Sequence, residues 1–199
     1  MTMSELHILE SKSEDNDMRA ALAAGWKKAD LRWERLQEEG NASFDNNDLT
    51  GAGRAWRRAW WIAILSFPAD DPRRATTLAN LALVDRQNGN KARAAKRFDK
   101  AMCIWEKSGL YIEGMQIARR ARSSLFHLRM EAEHWDTYQE NLRTRYRAFA
   151  TEAGDALKAL SEERPVECRL FSRWRGEKPS IYDDSRKFLS AALLIGGGA

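Results

Sequence analysis

The chain has 199 residues, short enough for a single hydrophobic core. Its composition, 43% hydrophobic and 31% charged with only 4 Pro and 12 Gly, is that of an ordered helical protein and excludes a disordered or collagen-like one. No run approaches the roughly 18 apolar residues of a membrane span, and MTMSELHILESKSEDND is acidic where a signal peptide is basic and then apolar, so a cytoplasmic protein with no membrane partner is expected.

The two cysteines, Cys103 and Cys168, are far apart and form no CxxC, which points away from a disulfide framework and from a zinc site. Cys103, between Met102 and Ile104, is expected in the core. The net charge of +4 is uneven: the first twenty residues are acidic, and Arg54 to Lys107 is strongly basic. Such a basic face suits an acidic protein surface or a nucleic acid.

From Met18 to Leu36 the residues Met18, Leu22, Trp26, Ala29, Trp33 and Leu36 recur at three- and four-residue steps and predict one amphipathic helix, capped by Asp15 or Asp17. FDNNDLTG predicts a turn, and GAGRAWRRAWWIAILSF a helix that stops at Pro68. Asp70, Asp71 and Pro72 read as the start of a helix running through RRATTLANLALVDRQ to the turn Asn88, Gly89, Asn90.

Lys91 to Trp105 predicts a further helix with Ala94, Ala95, Phe98, Ala101 and Met102 on one side, closed by Ser108 and Gly109. Two longer helices are expected from about Tyr111 to Glu131 and from about Trp135 to Leu160. The organisation that follows is a flexible acidic segment 1–14, a helical domain 15–160 and a C-terminal tail 161–199. In that tail Phe188, Leu189, Ala192, Leu193 and Ile195 form one face of a short amphipathic helix.

Comparing the chain with itself brings Ala52, Trp56 and Ala59 onto Ala94, Phe98 and Ala101, a shift of about 42 residues and within the range of solenoid periods. This small, aromatic, small pattern resembles the second helix of a tetratricopeptide repeat. The first helix agrees, with Leu78, Leu81, Ala82 and the turn glycine Gly89 in the second copy, and Leu36 and Gly40 in the first. A third, degenerate copy runs from Arg119 through Leu125 and Phe126 to Trp135, Tyr138 and Leu142.

Asp85 and Ser43 stand where the family has an aromatic residue, the closing proline is missing, and the period exceeds the family's usual figure of about 34. In that last respect the chain is similar to the long-helix variety seen in kinesin light chains. The resemblance implies an all-α, right-handed superhelix of about three antiparallel helix pairs plus a C-terminal helical tail. It also implies a concave face, lined by the first helices, that binds a peptide or helix of another protein.

Carried over by position, the partner-binding residues are Asn41 and Phe44 from the first copy, Asn80, Leu83, Arg86 and Gln87 from the second, and Arg120, Ser124 and His127 from the third. Asn80 offers a donor and an acceptor to the backbone of an extended ligand, and Arg86 a bidentate fork for a carboxylate. The apolar stretch Phe188 to Ile195 is expected to lie in its own groove or in that of a second copy, which makes self-association a further possibility.

No phosphate loop, HExxH, GxSxG or CxxC pair is present, so neither an enzyme nor a cofactor is expected. Glu131 and His134 make a Glu-x-x-His step, but no second copy supplies the rest of a di-iron site. Trp56, Trp60 and Trp61 cannot share one helix face, so they are expected to divide between the core and a neighbouring helix or partner. The basic runs at Arg57 and Arg58, Arg93 to Lys100 and Arg119 to Arg122 leave nucleic-acid binding as the alternative to an adaptor or assembly chaperone.

Overall fold

The computed structural model describes residues 18–116, 134–164 and 183–196, and every regular element among them is helical. Two antiparallel hairpins come first: α1 (Lys28–Asp45) with α2 (Leu49–Ser66), and α3 (Pro72–Gln87) with α4 (Lys91–Trp105). A short α5 (Ser108–Gly114), a long α6 (Trp135–Ser161) and a C-terminal α7 (Asp184–Leu193) complete the set.

The helix ends follow from a few residues. Asp48 accepts the Gly51 N–H at 2.9 Å and Asp71 accepts the Arg73 N–H at 2.9 Å, with Pro72 opening α3 as expected. Gly89 has φ +78°, and the bonds Gly89 N–H to Arg86 C=O and Asn90 N–H to Asp85 C=O terminate α3 by a left-handed cap.

The same device corrects the expectation of one helix from Met18 to Leu36. Residues 18–23 are helical, but Gly25 adopts φ +87° and Trp26 N–H returns to the Ala21 C=O, so the chain breaks before α1 begins at Lys28. The apolar stripe is therefore divided: Ala21 and Trp26 are buried together, while Met18 and Leu22 are exposed.

Further along, Ser108 and Gly109 open α5 instead of closing α4, and the helix expected from Tyr111 to Glu131 is interrupted after Gly114, where Met115 turns extended; its residues from 117 on lie outside the described residues. Within α6 the third copy's Trp135, Tyr138 and Leu142 lie near the exposed N-terminal end. Full burial falls instead on Tyr146, Phe149, Ala153 and Leu157, which join the core shared with α4 and α5, with Leu142 half-buried against it. The copy's earlier residues, Arg119 to Phe126, lie outside the described residues, as do segment 1–14 and Cys168. Cys103 is exposed on α4, against expectation, since Phe98, Ala101 and Trp105 turn the other side of that helix inward.

Both repeated trios are buried: Ala52, Trp56 and Ala59 in α2, and Ala94, Phe98 and Ala101 in α4. Trp56 is fully enclosed, Trp60 half-buried and Trp61 exposed, which divides the three tryptophans as helical geometry requires. The small residues let helices approach. A Cβ on Gly40 would sit 2.2 Å from the Trp56 indole nitrogen, so α1 and α2 touch through a rigid buried ring.

Asp85 holds the hairpin together by charge. It pairs with Arg93 at 2.6 Å and Arg97 at 2.5 Å from the facing helix. Arg97 is lowered from the usual arginine pKa, first by burial and then by its neighbours Arg93 and Arg57, with Asp85 opposing them.

Gly40→Ala is expected to destabilise the fold by about 1–3 kcal/mol or more through overpacking against Trp56, read as a lower urea midpoint with unchanged m-value.

Candidate partner-binding groove

The first helices of the two hairpins, α1 and α3, lie side by side and share a buried polar row. Trp33 Nε1 donates to Thr77 Oγ1 at 2.9 Å, Gln37 Nε2 donates to the same oxygen at 2.7 Å, and that hydroxyl donates to the Arg73 carbonyl at 2.9 Å. Asn80 Nδ2 donates to Gln37 Oε1 at 2.9 Å. At one end Arg73 bridges Asp30 at 2.5 Å and Asp71 at 2.7 Å, with its guanidinium carbon 3.5 Å from the Phe67 ring centroid. Burial alone would lower the Arg73 pKa; hydrogen bonds and charge from Asp71, then Asp30, outweigh it, and the side chain stays firmly charged.

The row faces the chain's own C-terminal segment. Asn80 brackets the turn that ends α7, where Leu194 has φ -94° and ψ 12°: its Nδ2 donates to the Leu194 C=O at 2.9 Å, and its Oδ1 accepts the Gly196 N–H at 2.8 Å. Asn41 Nδ2 reaches the same Leu194 carbonyl at 3.2 Å. One turn up, Thr76 Oγ1 donates to the Ala191 carbonyl and Ser190 Oγ donates to Glu34, whose other oxygen accepts from Arg186 at 3.1 Å.

Phe188, fully buried, fills the deepest point. It is stacked by Trp105 at 5.9 Å and Tyr111 at 6.2 Å, and met edge-on by Tyr146 at 5.9 Å and Phe149 at 6.0 Å. The opposite wall is Trp26, over which Arg186 and Lys187 lie at 5.4 and 5.6 Å. The groove thus has α1 and α3 as its floor, α4 to α6 as an aromatic wall, and α7 inside it.

Of the residues singled out by position, Asn41 and Asn80 come together on one carbonyl. Phe44 is half-buried against Trp56 at 5.5 Å and supports the wall of α2. Leu83 is a core residue, not a lining one, because α3 is covered on nearly every side. Arg86 is engaged elsewhere: it donates to the Leu160 carbonyl at 2.5 Å, closing the C-terminal end of α6, and lies 5.3 Å from the Phe98 ring. Gln87 is exposed at the end of α3. Arg120, Ser124 and His127 lie outside the described residues.

Of the tail 161–199, the apolar stretch Phe188 to Ile195, expected in the chain's own groove or in that of a second copy, lies in its own, where Phe188, Leu189, Ala191, Ala192 and Ile195 join the main core. Glu34, Gln37, Thr76 and Thr77 were not marked by the repeat. Neighbouring first helices touch at positions offset from the repeat register: Asn41 and Asn80 are 39 residues apart. The signal available was polar residues spaced like an apolar stripe, Glu34, Gln37, Asn41 on one helix and Thr76, Thr77, Asn80 on the other.

A separate cleft of about 340 Å³ lies between Trp105, Ile112 and the Arg147 to Gly154 stretch of α6. Its arginine is tied to Glu113 at 2.5 Å and Glu140 at 2.9 Å. Among the described residues no His, Cys, Asp or Glu cluster is arranged to hold a metal ion, and no helix is long and apolar enough to cross a membrane. Comparison with protein-family models, with curated proteins and with solved structures finds no match for this chain.

Asn80→Ala removes the partner of Leu194, Gly196 and Gln37 at once. It is expected to cost about 1–3 kcal/mol and to raise amide exchange selectively at residues 194–196, measured by thermal unfolding and hydrogen exchange. Burial, then the charge of Asp71, pushes the Tyr111 phenol above its ordinary value, with Arg73 opposing. Its folded pKa exceeds the unfolded value of about 10, so the stabilisation it gives is present below that pH and is lost as pH rises. Tyr111→Phe should flatten the alkaline fall in stability above about pH 10, followed by circular dichroism.

Proposed function

We propose that this chain is an adaptor or assembly chaperone of the tetratricopeptide type that holds a segment of another protein along the groove between α1 and α3. The observation that carries this reading is Asn80. One buried amide donates to a backbone carbonyl and accepts a backbone N–H two residues on, so it engages main chain as it leaves a helix end, whatever the side chains. Beside it, a box of four rings provides a site for one large apolar side chain.

This is the equipment of a binding protein, not of an enzyme, and the reading places it in the cytoplasm. The alternative, nucleic-acid binding through the basic outer helices, is weakened by Asp85, whose one carboxylate engages both Arg93 and Arg97 and offsets one of their two charges.

A photo-crosslinking residue placed at Asn41 on the groove edge is expected to capture a specific protein in native extract, and the same residue at Lys100 on the outer side of α4 is not. Equal protein capture from both positions, or nucleic acid captured from Lys100 alone, would overturn the reading.

A further inference from the structure

The segment in the groove shows what the groove selects. Asp183 caps α7 by accepting the Arg186 N–H at 3.1 Å, and Arg186 reaches Glu34. Phe188 enters the aromatic box, Ala191 and Ala192 lie flat against α3, Ile195 is buried, and the chain leaves the helix in time for Leu194 and Gly196 to meet Asn80. Beside the aromatic box, the α1 and α3 side of this contact is polar: Glu34, Thr76, Asn41 and Asn80.

A permanent core does not require the charged pair of Glu34 with Arg186, since apolar residues of similar volume often replace a buried ion pair without loss of stability. Polar groups do fix one register for an occupant, and water can take over their hydrogen bonds when the occupant leaves.

Building on the adaptor reading, we propose that segment 183–196 is a resident occupant of the groove, displaced by a partner helix of the same chemistry. That partner carries a basic residue before a large aromatic, two small residues on the same face one turn later, and an aliphatic residue two turns after the aromatic. Its helix ends there, leaving a free backbone carbonyl and N–H for Asn80. A tethered occupant competes at on the order of millimolar effective concentration, so the groove of the wild-type chain is closed to weak ligands and open to this pattern.

The test uses the full chain and a labelled peptide of sequence DDSRKFLSAALLIG, read by fluorescence anisotropy. Two variants loosen the resident segment without touching the groove. Ser190→Glu sets a carboxylate against Glu34, and Gly196→Pro removes the N–H that Asn80 accepts, with Gly196→Ala as its control because a Cβ there meets atoms no closer than 3.4 Å.

Both loosening variants are expected to bind the peptide at least about tenfold more tightly than wild type. Adding Asn80→Ala to either should abolish the gain, and a scrambled peptide should not bind. The proposal is overturned if neither variant binds more tightly than wild type, or if both lose helical circular dichroism, which would make the segment plain core. A wild-type dimer that Ser190→Glu dissociates would also overturn it, by assigning the segment to a second copy. If protein cross-links form at Asn41 and the peptide fails to bind, displacement falls and the adaptor reading stands.

Discussion

Gln37, Thr77 and Asn80 form hydrogen bonds between α1 and α3 that neither helix can complete alone, and all three are buried. A buried amide that loses its partner costs more than the bond it made is worth, so these side chains hold the two first helices in one rotation about their axes. The hairpins inherit that alignment: α2 follows α1 through the contact of Gly40 with Trp56, and α4 follows α3 through Asp85 and its two arginines. Only with α1 and α3 so placed do Asn41 and Asn80 converge on one carbonyl.

Arginines do a second job throughout the molecule. Arg74 donates to the Ala63, Ile64 and Phe67 carbonyls at the end of α2, and Arg86 to Leu160 at the end of α6. Carbonyls at helix ends lack intrahelical donors, and a cation there also meets the negative end of the helix dipole. Part of the basic composition is therefore spent inside the fold on joining consecutive elements, which is why charge counted along the chain overstates the charge available to a ligand.

What the residues disclosed and what they hid divide along physical lines. Small and aromatic spacing in α2 and α4 marked buried positions, because a helix face is a local property. Asn80 was legible for the same reason, as a polar residue on the face assigned to the concave side. Arg86 was misplaced because position alone does not show that a distant helix end, Leu160, needs a donor. The break at Gly25 was hidden by an apolar pattern that runs through it without a change of period. Nor did the repeat show Gln37 and Thr77, since contact between unlike repeat positions leaves no trace in self-comparison.

Phe188 and Gly196 belong to the floor plan of α1 and α3 but follow Asn80 by more than a hundred residues, with 116 between Asn80 and Gly196. A ribosome adding about 5–20 residues per second needs on the order of ten seconds to cover that distance. During that interval the second hairpin is completed at Trp105, and the aromatic box is complete only once Phe149 has been added. Asn80 is thus the early half of a contact whose late half, Leu194 and Gly196, is added only after every helix that surrounds it.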